Sequence, residues 1–576
     1  MKTYFFSGIG HATARFAISN NEIGNALDNY HLSGFSNEKI LAGNSYGLYK
    51  KEHPESTPFD FFASEKMGFI KRHHVTPFPP TQKKMYFAET SLDLAVSAVR
   101  NALSDSGVRP CQIGAWFLST VSPHEQAPGM AATLKAYMVD FENSSPAFTL
   151  TSGCSGFNIN IERACEYLNE HEDVEHVVVV HAETMSAFLA NRIKFIPFVT
   201  FGDGAAAVVL SRNQSDARQG IVSVVNYHDP ALLDVVGVDK KWNLYMDDSM
   251  VKDRAVADIP EAAAEALKLA GWKTEDIDLF VPHQTGNAIL LPVAQQLGIP
   301  AEKLFLGSQH EYGNTSGATV PIALSMLKQS GKLKPGFKIL SAMAGVGGNY
   351  GAFTYVVPDA PITVKHDKGK EFEGKKILLI DTKNELSQEI TEILKNQGAT
   401  VYCIEETQKD IADSISKGDV TANYVLYPAF YSMRSYNEIL SAIDIIKVCV
   451  KMKCASIVVC GSMCENTGHP LFPEFVSSLR ALHGILASAS GEFLSSGTRL
   501  VYYMTGCTDG DFSSQGDSNT RFRIMMKAGQ EKLITKTELA DRLVRSLIIP
   551  KIDRTWNFYE NAMVVRCDGF KPEVDI

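Results

Sequence analysis

The sequence predicts an α/β protein in two parts: a duplicated αβ unit over residues 1–357 and a doubly wound parallel sheet over 376–576. Residues 358–375 join them. Three observations predict this. Short β-branched runs alternate with helix-compatible segments along the whole chain. A cassette of glycine turn, small residues and apolar strand occurs at Phe201–Leu210 and again at Gly345–Val357, which points to internal duplication. The stretch Pro358–Lys375 is charged and carries Pro and Gly, and the pattern restarts after it at Lys376-Ile-Leu-Leu-Ile-Asp381.

In chain order, residues 1–20 read as a strand and a glycine turn. Residues 21–66 are polar with scattered Gly, Asn, Ser and Pro, and predict short helices and loops that could cap a site. Glu89–Ser106 places Leu92, Ala95, Val99 and Leu103 on one helical face. A strand follows at Ala115–Val121, then a helix after Pro128. Ala147–Leu150 reads as a strand that gives way to Thr151-Ser-Gly-Cys-Ser-Gly156 and a helix over Phe157–Leu168. Val177–Val180 has the β-branched content of a buried central strand. In the second half Glu261–Ala270 is helical, Leu279–Pro282 is a strand ending at His283, and Lys338–Ala342 is another strand.

Composition excludes several classes. With 576 residues the chain is too long for one core. The net charge of −10 argues against nucleic acid as a partner. No run approaches the ~18 apolar residues of a membrane span. The amino-terminal apolar stretch is too short for a secretory signal. Ten cysteines without such a signal suggest free thiols in a cytoplasmic protein. The pairs Cys449/Cys454 and Cys460/Cys464 lack matching partners, so no metal site is expected.

Three residues carry the chemistry. Cys154 falls at a strand-to-helix turn between Gly153 and Gly156, where a helix N-terminus favours a thiolate nucleophile. His283 ends a strand in Val-Pro-His-Gln, and Asn314 lies in Tyr-Gly-Asn-Thr-Ser-Gly. A thiolate can take an acyl group from a thioester, and a His–Asn pair can donate hydrogen bonds to an enolate. The backbone N–H groups of Cys154 and of Val346 or Gly347, in the 345–351 turn, can serve an oxyanion.

Residues 1–357 resemble the β-ketoacyl-acyl-carrier-protein synthase III branch of the thiolase superfamily. The resemblance is carried by Gly68-Phe-Ile-Lys-Arg72, Ser152-Gly-Cys-Ser-Gly-Phe157, Phe201-Gly-Asp-Gly-Ala205, Pro282-His-Gln284, Gly313-Asn-Thr-Ser316 and the glycine-rich 345–351 turn. It implies a five-layered αβαβα fold, a homodimer and a Cys154–His283–Asn314 triad. An acyl-thioester would load Cys154, and a malonyl-type thioester would lose carbon dioxide and attack in a Claisen condensation. The substrates would ride on CoA or an acyl-carrier protein, in fatty-acid or polyketide-like synthesis, with no cofactor. The departures concern the periphery. Gly286 and Ala288 stand where the family carries an Asn and an Arg linked to carrier docking, and Lys71 or Arg72 remain as entrance cations. Ala127-Pro128 replaces a bulky aromatic at the end of the acyl pocket, which implies acyl groups larger than acetyl. Glu125 and His124 are candidates for extra acid–base groups at that end, against the alternative of solvated loop residues.

Residues 376–576 resemble a worn, Rossmann-like short-chain dehydrogenase. Ser456-Ile-Val-Val-Cys-Gly-Ser-Met463 matches the serine strand, but Phe475 and Leu479 replace the tyrosine and lysine of the catalytic helix. The phenol and the ammonium that lowers its pKa are both missing. The first turn, Asp381-Thr-Lys-Asn-Glu-Leu, has no glycine, and Asp381 and Glu385 would repel a pyrophosphate. Alternatives to decarboxylative condensation are acyl transfer to an O or N nucleophile with the same triad, a bifunctional ketosynthase–reductase, and a non-catalytic scaffold.

Overall fold

The computed structural model describes residues 3–30, 35–190, 195–212, 219–359, 370–380, 384–404, 417, 421–432, 436–469, 471–508, 519–520, 523, 525, 533–552 and 555–568. The chain divides into two compact units: residues 1–138 with 143–366, and residues 139–142 with 367–576. Most of the 358–375 linker and the Asp381–Lys383 turn lie outside the described residues.

The first unit holds two sheets. One has the strand order Tyr4–Thr13, Asp203–Arg212, His176–Thr184, Ile113–Ser119, Ala147–Leu150. The other runs Gly220–His228, Asn349–Val356, Lys338–Ala344, Leu279–Phe280, and a lone parallel bridge from Phe280 to Leu304 extends it. The two orders correspond strand for strand, with the same antiparallel and parallel pairings. The duplication read from two glycine cassettes is therefore a duplication of topology.

Helices fill three layers around these sheets. Gly156–Glu170 and Thr319–Gln329 lie between them. Phe157, Ile161, Val320 and Ala323 pack in one cluster with Phe117, Val179 and Val208 of one sheet and Ile339 and Phe353 of the other. Asp248–Ala270 and Asn287–Leu297 cover the outer face of the second sheet through Ile259, Ala263, Leu290 and Val293. Ser91–Ser106 covers the first sheet. Its start is fixed by a reciprocal capping box of Thr90 and Asp93, and its end by Gly107. The result is an αβαβα stack.

Residues 21–66 form short helices at Asn37–Leu41, Asn44–Glu52 and Pro58–Phe61 after the longer Asn20–Tyr30. Phe59 and Ala63 anchor them in a cluster with Phe69, Phe188, Phe198 and Phe201.

The second unit is a seven-stranded sheet in the order Thr400–Ile404, Lys376–Ile380, Tyr424–Tyr427, Ser456–Ser462, Arg499–Thr505, Met563–Asp568, Thr555–Glu560. All neighbours are parallel except the last pair. The strand order reverses between Lys376–Ile380 and Tyr424–Tyr427, the switch point of a doubly wound sheet. Helices Glu385–Asn396, Tyr436–Lys451, Pro473–Ser495 and Lys536–Ser546 make the crossovers. Among the described residues no helix is long and apolar enough to cross a membrane.

Candidate active site

Cys154 sits in a single 3₁₀ turn, Gly153–Ser155, between the end of strand Ala147–Leu150 and helix Gly156–Glu170. Its sulfur accepts from its own backbone N–H and from that of Val346. The glycine-rich turn can come this close because position 345 has no side chain. A Cβ there would lie 3.0 Å from the Cys154 Cβ and 2.9 Å from the Ser155 nitrogen.

His283 follows strand Leu279–Phe280, and its N–H bonds the Ala342 carbonyl. Its Nδ1 is 2.6 Å from the Thr319 hydroxyl, which leaves Nε2 as the free ring nitrogen. Asn314 is held at both ends of its peptide, its N–H on Thr200 and its carbonyl on the Gly202 N–H. Its Oδ1 accepts the Ser316 N–H at 2.9 Å, so its amide nitrogen is the group left for a ligand.

These three residues line one cavity of 570 Å³, together with Ser316, Val346 and Gly347. Its apolar wall comes from a small ribbon, Val236–Val238 paired antiparallel with Leu244–Met246, and from Trp242. Charged groups line it too: Asp239, Lys240, Arg254 and Asp258. Arg254 pairs with Asp258 at 2.9 Å and Asp229 at 3.2 Å.

Both ionisable groups of the site are shifted toward neutrality. Burial pushes the Cys154 thiol up to about 11, the Ser316 hydroxyl bond pulls it down, and the charge of Glu183 adds to the rise. Burial takes His283 down to about 3, and His181 pushes the same way. Burial thus opposes the helix N-terminus, which favours a thiolate. The single 3₁₀ turn and two backbone N–H groups offset only part of the desolvation. Both shifts favour a thiol and a neutral imidazole over the charged forms.

Beneath Cys154 lies a network absent from the sequence reading. Ser119 Oγ is 2.6 Å from His181 Nδ1, and His181 Nε2 is 2.9 Å from Glu183 Oε1. Glu183 also accepts from the N–H groups of Val121 and Ser122 and from the hydroxyls of Ser122 and Thr120. All three members are fully buried. The His181 ring packs against Gly156 and Gly317, the backbones that carry Cys154 and Ser316. The only sequence signal was parity: Ser119 ends one strand, and His181 and Glu183 share a face of its neighbour. Asp203 of the Phe-Gly-Asp-Gly turn is a second buried carboxylate. It accepts from Val75 N–H and from the N–H and hydroxyl of Ser186, while burial raises it to about 7.

The peripheral candidates fall elsewhere. Arg72 is fully buried and donates to the carbonyls of Ile18 and Val199, so it ties two segments together and does not stand at an entrance. The strand Lys71–His74 alternates, turning Arg72 inward and Lys71 outward, where Lys71 pairs with Glu311 at 2.6 Å. Glu125 and Ala127 do not line the cavity; their neighbours Val121 and Gln126 do. Glu125 accepts from Thr133 and lies 3.9 Å from His124, and Ala127 is exposed. Among the described residues of 21–66, none lines the cavity. Among the described residues no cluster of His, Cys, Asp and Glu could hold a metal.

Two family models match this unit: 3-oxoacyl-[acyl-carrier-protein] synthase III over residues 148–230 and its C-terminal part over 267–357. The β-ketoacyl-[acyl-carrier-protein] synthase III of Aquifex aeolicus is 31% identical over 271 residues, covering 47% of this chain and 85% of that protein. The synthase III 2 of Vibrio cholerae is 32% identical over 284 residues, covering 47% and 76%. Among solved structures, the Aquifex aeolicus 3-oxoacyl-[acyl-carrier-protein] synthase III superimposes with a TM-score of 0.50 at 26% identity, over 62% of this chain and all of that one. The priming β-ketosynthase of the R1128 polyketide pathway does so with a TM-score of 0.50 at 26% identity, over 62% and 97%. With the folded stack, the three converging residues and these likenesses in place, the chain belongs to the β-ketoacyl-acyl-carrier-protein synthase III family of acyl-thioester condensing enzymes.

Proposed function

We propose that the amino-terminal unit, residues 1–357, loads an acyl group larger than acetyl onto Cys154 and extends it by decarboxylative Claisen condensation with a malonyl-type thioester. The observation that carries this is the single cavity lined by Cys154, His283 and Asn314. In the loading step the Cys154 sulfur attacks the thioester carbonyl, the C–S bond to the carrier breaks, and the thiol proton leaves with the carrier's sulfur as its free thiol. The oxyanion formed on attack faces the N–H groups of Cys154 and of Val346 or Gly347. In the second step the extender loses carbon dioxide, and its enolate oxygen is held by His283 Nε2–H and Asn314 Nδ2–H. A histidine kept neutral by burial suits that role, because it donates a hydrogen bond without carrying a charge.

A cavity of 570 Å³ with an apolar ribbon for a wall supports an acyl group beyond two carbons. The donor rides on CoA or on an acyl-carrier protein. Intact-protein mass spectrometry with acyl-thioesters of increasing length tests the reading. Adducts are expected on the wild type and none on Cys154→Ala. Loading by acetyl alone overturns the size preference. Carbon dioxide release from a malonyl thioester separates condensation from acyl transfer to an alcohol or amine.

The homodimer is supported by strand Ala147–Leu150, which edges the first sheet and leaves Phe148 45% exposed. Residues 376–576 are a Rossmann-like, short-chain dehydrogenase-like domain without redox activity. Phe475 and Leu479 are buried core residues, Ser462 is fully buried, and Tyr427, Ala429 and Phe430 fill the carboxyl end of the switch-point strand. Titration with NADPH checks this: micromolar binding overturns it.

A further inference from the structure

We propose that Ser316 is a catalytic residue of this site: its hydroxyl donates to the sulfur of Cys154 and stabilises the thiolate released when the acyl group leaves. The proposal rests on Cys154 being the acylated nucleophile. Two independent features single Ser316 out. The first is its backbone. Ser316 has φ of 56°, in the left-handed region where a side chain is strained, although it is 1% exposed and the next residue is a glycine. A glycine at 316 would adopt that conformation at no steric cost. The chain instead keeps a hydroxyl there.

The second is where the hydroxyl goes. Ser316 Oγ lies 3.7 Å from Cys154 Sγ, and among the described residues the sulfur is its only acceptor. The same residue's N–H holds Asn314 Oδ1 at 2.9 Å. One strained serine thus aims a donor at the nucleophile and turns the Asn314 amide nitrogen toward the cavity.

The site makes such a donor necessary. Among the described residues, the groups that lower the sulfur's pKa are the Ser316 hydroxyl and the backbones of Cys154 and Val346, none of them a cation. A thiolate here is stabilised by dipoles alone: two backbone N–H groups and the Ser316 hydroxyl. When the enolate carbon attacks the acyl carbonyl, a C–C bond forms, the C–S bond breaks, and its electron pair returns to sulfur. Ser316 keeps its proton throughout and contributes a hydrogen bond to the anion.

The test is the rate of alkylation of Cys154 by iodoacetamide between pH 6 and 10, read by intact mass, with Ser316→Ala and Ser316→Gly. Both lose the donor, and only glycine relieves the strain. Both variants are expected to alkylate roughly tenfold more slowly at every pH below the thiol pKa, because a hydrogen bond to a charged group is gone. Ser316→Gly is expected to melt no lower than the wild type, which separates the hydroxyl from the fold. Alkylation of Ser316→Gly at the wild-type rate overturns the proposal, whatever Ser316→Ala does. Failure of the wild type to take an acyl group from any thioester would count against the function above, while alkylation still decides the role of Ser316.

Discussion

Replacing Glu183 by glutamine is expected to weaken the fold and quicken the nucleophile together. The carboxylate is fully buried and takes bonds from two backbone N–H groups, two hydroxyls and His181. Glutamine keeps the shape but offers one oxygen and an NH₂. Its oxygen can keep the Ser122 side of the network, and its NH₂ then meets His181 Nε2. That contact is satisfied only if the ring changes tautomer and donates from Nδ1 to Ser119. Charge-assisted bonds, at about 1.5–3 kcal/mol each, become neutral ones at about 0.5–1.5. The saved desolvation of a buried charge offsets part of this. The net loss is about 1–3 kcal/mol, or a melting point lower by several degrees. The thiol moves the other way. After burial, and opposed by the Ser316 bond, the Glu183 charge adds to its rise, so removing that charge increases the thiolate fraction at fixed pH. Alkylation at pH 8 is expected to quicken by about threefold or more. Calorimetric melting and iodoacetamide kinetics on the same preparation check both signs. Alkylation at or below the wild-type rate would refute the electrostatic link between the network and the sulfur.

Two further outcomes follow from titration and packing. Burial lowers His74 and His283 to about 3, and lowers His11, His176 and His310 in the same direction. The folded pKa values lie below the unfolded ones. The stability they contribute is therefore present above pH 6.5 and is lost as pH falls toward 3. Asp203, raised to about 7, runs the opposite way but stands against five histidines. Urea midpoints of the amino-terminal unit at pH 7, 5 and 4 are expected to fall in that order. In the second unit Gly461→Ala would drive a methyl group into Tyr502 Oη and Glu465 Oε1, which bond each other at 2.6 Å. A loss of about 2 kcal/mol or more is expected in urea unfolding, with Cys154 alkylation unchanged.

The parts legible in the sequence are those written locally. Cys154, His283 and Asn314 each sit in a short string whose glycines and prolines dictate a turn, and the helix Ser91–Ser106 carries its own cap and stop. Strand and helix alternation is likewise a local property, and it made the two glycine cassettes comparable. What stayed hidden is written between strands. Ser119 and His181 are 62 residues apart and meet only because their strands pair. Arg72 was offered as an entrance cation from its place in the family-like string Gly68–Arg72, while the inward turn of its strand was visible only from its neighbours. The balance that sets the ionisation of Cys154 is hard to read for a related reason. The helix end is local and legible, but the depth of burial that outweighs it depends on the whole stack.

The ribbon of Val236–Val238 and Leu244–Met246 shares no strand with either main sheet. It shapes the hydrocarbon side of the cavity, whereas sulfur, imidazole and amide are mounted on the rigid stack. Appetite and chemistry are thus encoded by different stretches of chain. If the acyl tail lies there as proposed, substitutions at 236, 238, 244 and 246 are expected to change which tails load while Cys154 stays as reactive toward iodoacetamide.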